Sequence, residues 1–542
     1  MRTNAAVPQH PKADRRHSLV GQSALTTLAA ALGLLTGLAV DAVIGVTFGA
    51  GMQTDSFFVG ARLPLAVATI VLIGANQALV PVMASWFVTH DRRSTGLLSA
   101  GVCAISVVVG VLLGLLAISL SGQLAAVQAP GLSPASSHLA AEVLRVMALT
   151  IPFTMLAEVL RAYLNAQRVF IGPALVSVVL NVTVIVVLVS ARGGGVLVVA
   201  WGYVAGNLLR VAVLLLLSVS RGLALNPLPA LRRREAWSAA ALCARPFAGA
   251  GLGPLVRLIE QAVVSLLPSG SISLLNYGYR LVSGVGGAVF FRSVIVALVP
   301  RLTQAVTRGE EALSRALTAL GIRMMLLASL PLACFMAVLA EPTVRLLFNR
   351  GRFDSSSAAL LGLLLTLFSL SMPPDGITRA QQAPYFSRRN TRMPLRNNVV
   401  GMVVNLTLLP AALIPDDPRI ALLLVVLAYV ISRWVTVLHG QVNLNRDGYA
   451  GHIGVAPTLR LLSAPLAAAS VVMVPLAILQ HLYAGRSSLA LAAGLLVTAT
   501  WGAIAFGMPL VLQQRRLRSL LASPKGSDVR APQEPLPRGV PA

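Results

Sequence analysis

Charge is what this sequence has least of. Only 11% of its 542 residues are Asp, Glu, Lys or Arg, where soluble domains carry roughly a quarter. Acid is the scarcer sign, 18 Asp and Glu against 43 Lys and Arg, for a formal net charge of +25. With 56% hydrophobic residues and a mean hydropathy of +0.79, too little polar surface remains to cover a soluble globule. Three cysteines (Cys103, Cys243 and Cys334), all within or beside apolar segments, imply neither a disulfide framework nor a cysteine-type metal site. Seven dispersed histidines show no metal-ligand spacing. A nucleotide-binding P-loop is missing, so the chain itself is not expected to hydrolyse ATP. No segments of about ten residues alternate in polarity, which argues against an outer-membrane barrel. The basic tail MRTNAAVPQHPKADRRHS is followed by no early small-residue cleavage site, so no signal peptide is expected. Nothing implies a cofactor, and the chain reads as something other than an enzyme.

What the chain does have is apolar runs such as VVVGVLLGLLAISL and ALLLVVLAYVI, recurring along its length near the ~20 residues a bilayer helix needs. The expectation is an all-α integral membrane protein of about fourteen helices. They lie near 21–49, 55–88, 97–121, 138–163, 172–192, 196–219, 237–267, 272–300, 319–348, 356–384, 397–415, 418–443, 456–483 and 487–512. Arginines mark alternate loops: Arg92 and Arg93, Arg168, Arg221 with Arg232 to Arg234, Arg301 with Arg308, Arg388 to Arg396, and Arg446. The intervening loops are nearly bare, Arg350 with Arg352 excepted. Scattered arginine of this kind sets topology rather than binding nucleic acid, and it places both termini in the cytoplasm and residue 52 outside.

A repeat organises these spans. GMQTDSFFVGARLPLAVATIVLIGANQALVP, from Gly51, and GSISLLNYGYRLVSGVGGAVFFRSVIVALVP, from Gly270, each carry an Arg-Leu and close on Ala-Leu-Val-Pro. A fainter echo links RAYLNAQRVFIGP with RAQQAPYFSRRNTRMP. The echoes lie about six spans apart in the same orientation, which predicts two pseudo-symmetric six-helix lobes related by an axis along the membrane normal. The expected domains are a basic tail (1–20), an N-lobe (21–220), a basic linker (221–236), a C-lobe (237–445), two added helices (446–512) and a second basic tail (513–542).

Charge placed inside spans is costly, about 2.5–3.5 kcal/mol per residue on insertion scales, so it marks cavities or pairs. Asp55, at a helix start, and Arg62, followed by Pro64, read as lying near a membrane face. Arg210, Arg292 and Arg433 read as snorkelling residues near cytoplasmic ends. Glu142 and Glu158 are spaced to pair with Arg145 and Arg161. Arg245 and Asp41 complete the set of charges inside spans. Arg257 and Glu260 lie one turn apart, deep in the seventh span. Asp375 and Arg379 follow SMPP, where the tenth helix should break. Arg280 is deepest, between Gly278 and Gly284. A cavity lined by arginine suits an anion, phosphate above all, because guanidinium grips it with forked, charge-assisted bonds.

Four stretches carry a family resemblance: FGAGMQTDSFFVGARLP, LPSGSISLLNYGYRLVSGVGGAVFFRSVIVALVPRL, LLFNRGRFDSSSA and YFSRRNTRMPLRNN. In order, over roughly residues 35 to 445, the chain resembles the MurJ/MviN lipid II flippases of the multidrug/oligosaccharidyl-lipid/polysaccharide exporter superfamily. The resemblance implies two lobes around a central cavity, two added helices forming a lipid groove, and a cycle that exposes the cavity inward and then outward. It implies substrate-site roles for Asp55 in the TDAFF-type motif, Arg280 of the YxxR motif, Arg379 and Asp41. Arg62, Arg257, Glu260 and Asp375 join them on the reading of residues above. It further implies cavity arginines at three positions that hold Leu34, Val40 and Ala68 here. The function it implies is movement of a polyprenyl-diphosphate-linked sugar, lipid II first, across the bacterial inner membrane. The expected partners are that lipid, membrane lipids, a coupling ion and peptidoglycan-synthesis proteins. Flipping another lipid-linked glycan, or scaffolding cell-wall enzymes without transport, are the alternatives.

Overall fold

The computed structural model describes residues 14–191, 193–243, 251–285, 292–388 and 390–449. Among the described residues every regular element is helical, and nine helices are long and apolar enough to cross a membrane. The spans expected at 456–483 and 487–512, both basic tails and Arg245 lie outside the described residues.

Six of the nine membrane-length helices fall in the first half. They are α1 (Asp14–Phe48), α2 (Met52–Gly74) running on into α3 (Val80–Thr89), α4 (Arg92–Ser119), α6 (Pro134–Ala148) continued by α7 (Thr150–Ala166), α8 (Ile171–Ser190) and α9 (Leu197–Ser220). A short α5 (Ser121–Gln128) precedes α6, and α10 (Leu228–Leu231) with α11 (Arg234–Leu242) forms the connection to the second half. That half holds α12 (Leu252–Val264), α13 (Ser271–Val285), α14 (Arg292–Thr307), α15 (Glu311–Val338), α16 (Ala340–Phe348), α17 (Ser355–Ser369), α18 (Met372–Ser387), α19 (Arg392–Leu408) and α20 (Pro418–Arg446).

Proline explains where the long helices deform. Between α2 and α3 the chain forms one π-type turn, Ala75–Leu79, just before Pro81. Pro81 has no N–H to give and its ring would strike the preceding carbonyls, which the wider turn relieves. The α6–α7 span breaks at Leu149, ahead of Pro152, and the α17–α18 span breaks at Leu370 and Ser371, ahead of Pro373 and Pro374. The break expected at SMPP is therefore present, just ahead of its prolines, and the α6–α7 span carries a similar one. Scarce carboxylates are spent on helix starts: Asp91 caps α4, Asp354 caps α17 and Asp417 caps α20, each accepting backbone N–H groups that would otherwise go unpaired.

Within the first half α8 packs on α9 and α1, α2 on α6, and α4 on α7. Within the second, α15 packs on α18, α19 on α20, and α17 on α13 and α16. The halves meet through α1, α2 and α5 on one side and α12, α13 and α16 on the other. Their junction is aromatic. The Phe58 ring lies 5.3 Å from that of Tyr277, Tyr277 lies 5.0 Å from Phe348, and Phe348 lies 5.4 Å from Phe353. All of these side chains are buried.

Around this cluster the chain approaches itself at backbone distance. The Arg352 N–H donates to the Val46 carbonyl at 3.0 Å. Gly49, at φ +74°, lies so close that an added Cβ would sit 2.6 Å from the Arg352 carbonyl oxygen. Substituting Gly49→Val imposes both a left-handed conformation, costing about 1–2 kcal/mol, and a collision with backbone that cannot swing aside. The purified variant should unfold at a clearly lower temperature. An unchanged melting temperature would show that these two loops do not touch in solution.

Candidate functional site

Three second-half helices, α12, α13 and α19, carry polar side chains within apolar sequence. They are the helices that carry Arg257 and Glu260, Asn276 and Arg280, and Asn398 and Asn405. Together with α2 and α20 they enclose a cavity of about 390 Å³ between the two halves. Of these residues Arg257, Asn276, Arg280, Asn398 and Asn405 line the cavity, and Glu260 does not.

Four arginines line it: Arg62 from α2, Arg257 from α12, Arg280 from α13 and Arg433 from α20. Behind three of them stands a carboxylate that does not itself line the cavity. Arg280 Nη1 donates to Asp41 Oδ1 at 2.5 Å, Arg257 Nη1 donates to Glu260 Oε2 at 2.7 Å, and Arg433 Nε lies 3.6 Å from Asp375 Oδ1. Asp41 and Glu260 are 4% and 1% exposed, so each is buried against its arginine. Glu260 Oε1 also accepts from Asn405 Nδ2 at 2.8 Å. Arg257 is further fixed by its stack on Tyr279, 3.3 Å from guanidinium carbon to ring centroid, and by Tyr429 at 4.7 Å.

Arg62 is held differently. Its Nε donates to Gln261 Oε1 at 2.9 Å and its Nη2 to Asn276 Oδ1 at 2.6 Å, both neutral amides. Among these four arginines and three carboxylates the balance is +1, and Arg62 supplies it. The Arg257 Nη2 and Gln261 Nε2 donors beside it are buried without an acceptor among the described residues. A buried donor without an acceptor costs free energy that an anionic ligand would recover.

The sequence-selected residues therefore separate. Arg62, Arg257 and Arg280 line the cavity; Asp41, Glu260 and Asp375 hold arginines from behind. Arg379 is exposed on α18 and outside the cavity lining. Asp55 is at the junction instead, 2% exposed, where it accepts the N–H of Gly270 at 2.6 Å and both the N–H and the hydroxyl of Ser273, at 2.8 and 2.5 Å. It caps α13 from the opposite half.

Several expectations are corrected. Arg62 is not a surface residue, because α2 turns it toward α12 and α13 rather than the membrane face. Arg433 does not snorkel; it lies midway along α20 and faces the cavity. Arg210 is 8% exposed and donates to Glu158, which also lies 3.6 Å from Arg161. Glu142 faces His138 at 3.6 Å, while Arg145 donates to Ser121. Asp375 lies 3.6 Å from Arg433, on α20. Sequence reading missed Asn276 and Gln261, although each stands one helical turn from a chosen arginine, Arg280 or Arg257. The three positions where the resemblance implied arginine are apolar in structure as well. Val40 is in the core at 1% exposure, Leu34 packs against Gly284, and Ala68 is outside the cavity lining.

The profile of the family described as "Lipid II flippase MurJ" matches residues 44–494. This chain belongs to that family. Among its relatives is the probable lipid II flippase MurJ of Rhizobium meliloti, 26% identical over 426 residues, which span 74% of this chain and 76% of that protein. Another is the lipid II flippase MurJ of Burkholderia cenocepacia, 25% identical over 383 residues, 69% of this chain and 74% of that one. The solved structure titled "Lipid II flippase MurJ, inward closed conformation" has the same fold, with a TM-score of 0.73 at 18% identity, covering 93% of this chain and all of that one. An inward-facing multidrug resistance MATE family transporter of the MOP superfamily aligns at TM-score 0.60 and 15% identity, over 78% of this chain and 94% of its own. The MurJ-family fold is thus an all-helical, multi-pass membrane fold, and here its inter-half cavity draws three of its four arginines from the second half.

Proposed function

We propose that this family member is a flippase that carries lipid II, the polyprenyl-diphosphate-linked peptidoglycan precursor, from the cytoplasmic to the outer leaflet of the bacterial inner membrane by alternating access. The observation that carries the reading is the arginine-lined cavity at the junction of the halves, with one cation matched only by neutral amides and a second, Arg257, with a donor that has no acceptor among the described residues. Diphosphate oxygens would satisfy both arginines with charge-assisted bonds. Three second-half arginines supply the charge that the apolar residues Leu34, Val40 and Ala68 do not. We assign the N-lobe to 21–220 and the C-lobe to 237–445, with the cytoplasm on the side of the arginine-rich loops. An inside-negative potential favours outward movement of the anion by about 2.3 kcal/mol per elementary charge per 100 mV, so net export needs no nucleotide.

The test is complementation. Cells depleted of their own lipid II flippase should regain growth, and lipid II should reach the outer leaflet, when this chain is expressed. Stable expression without lipid II translocation, but with restored export of another polyprenyl-diphosphate-linked glycan in cells lacking that exporter, would replace the cargo and keep the mechanism. Failure of both would sink the transport reading.

A further inference from the structure

Three polar clasps tie α13 to the opposite half, in order along one helix. At its start Asp55 takes the N–H groups of Gly270 and Ser273. Next, Asn276 accepts from Arg62 at 2.6 Å, with Gln261 of α12 taking the same guanidinium at 2.9 Å. One turn later Arg280 meets Asp41 of α1 at 2.5 Å. The clasps differ in what can reach them. Asp55 is sealed at 2% exposure and does not line the cavity, whereas Arg62 and Arg280 both do. The Arg280 side chain is 28% exposed against 5% for Asp41, so the cavity reaches the cation and not its counter-charge.

An anion entering the cavity therefore competes for the two arginines that fasten the halves together. At Arg62 it competes with neutral amide oxygens, and phosphate adds the attraction of opposite charges to bonds in which only the arginine is now ionised. At Arg280 it competes with a carboxylate, but the guanidinium fork has five N–H groups to offer. We propose that Arg62 and Arg280 serve two ligands in turn, clasping the halves when the cavity is empty and holding cargo phosphate when it is filled. Cargo binding then releases two clasps of three and leaves the Asp55 cap alone to hold α13, too little to keep the seam beside it closed at all times. The inference rests on the reading of the cavity as a phosphate site. It adds that Asn276, Gln261 and Asp41 are positioning residues that keep an empty transporter shut. A ligand moves such an equilibrium only through bonds it makes in one state and not the other, and these clasps supply that difference.

The experiment uses the full-length protein in lipid nanodiscs, with Cys103, Cys243 and Cys334 replaced. Spin labels are placed at Val127, on α5, and Leu266, just after α12, which are exposed on opposite halves near the Gly131–Ser265 contact. Without ligand the pair should show one short distance. A polyprenyl-diphosphate-linked disaccharide, with its binding followed separately by thermophoresis, should raise a second, longer population. Asn276→Ala with Gln261→Ala should raise that population at least several-fold with no ligand, although both arginines remain. Asn276→Asp, which gives Arg62 a carboxylate, should restore the short distance and shift the ligand response to higher concentration, which loss of packing alone would not produce. If the double variant fails to fold, Asp41→Asn makes the same test on the other clasp. Variants as closed as the parent without ligand overturn the proposal. So does ligand that binds without moving the distance, which leaves the phosphate site standing. Ligand that does not bind removes both.

Discussion

Arg280→Ala should abolish transfer of the lipid precursor to the outer leaflet in cells that depend on this protein. Arg280 is a forked donor that the cavity reaches directly, with the Phe58 ring 5.7 Å away on the facing helix. Its removal also strands Asp41, and an uncompensated buried charge costs about 3–5 kcal/mol. That second effect would lower the amount of protein and imitate a loss of function. Pairing Arg280→Ala with Asp41→Asn separates the two, since the double variant should accumulate like the parent by immunoblot and still transfer nothing. Arg280→Lys should recover activity only in part, because lysine keeps the charge and loses the planar fork. Arg62→Ala should be as damaging as Arg280→Ala, since Arg62 carries the charge that no carboxylate balances. Full transfer by Arg280→Ala would end the assignment of a phosphate site here.

The second large effect is on stability. Glu260→Ala should lower the thermal stability of the purified protein by about 3–5 kcal/mol, because Arg257 loses the carboxylate that offsets its burial. Its stack on Tyr279 and Tyr429 fixes the guanidinium without neutralising it. Removing both members, Glu260→Ala with Arg257→Met, should cost less than Glu260→Ala alone, leaving a methionine of similar reach against the two rings. A coupling of about 0.5–3 kcal/mol is expected for groups in such contact. Strictly additive losses would mean that the pair does not form.

Much of this was legible before any coordinates. The apolar runs announced spans, and SMPP announced the break between α17 and α18. Arg257 and Glu260 were readable as a pair because one helical turn separates them, and helix geometry then leaves little choice. The same rule misled for Glu142 and Arg145. A hydroxyl across a loop can be nearer than the neighbour one turn away. Arg433 was read as lying near a cytoplasmic end, but it stands midway along α20 and turns toward the cavity, a facing that one helix alone does not report.

The sequence by itself determined the class of protein, the nine spans found among the described residues and the sign of the cavity. Those properties follow from composition and from spacings within single helices, which the bilayer and the backbone enforce locally. Tertiary structure alone decided which charges face the cavity and which stand behind it. It turned Asp55 from a substrate residue into the cap of a helix 215 residues away, paired Asp41 with Arg280 across 239 residues, and gave Arg62 two amides in place of an acid. The reason is that facing is a property of two helices at once. A span records which of its residues are polar, but the partner they turn toward depends on how the halves are set against each other, and no single helix carries that information.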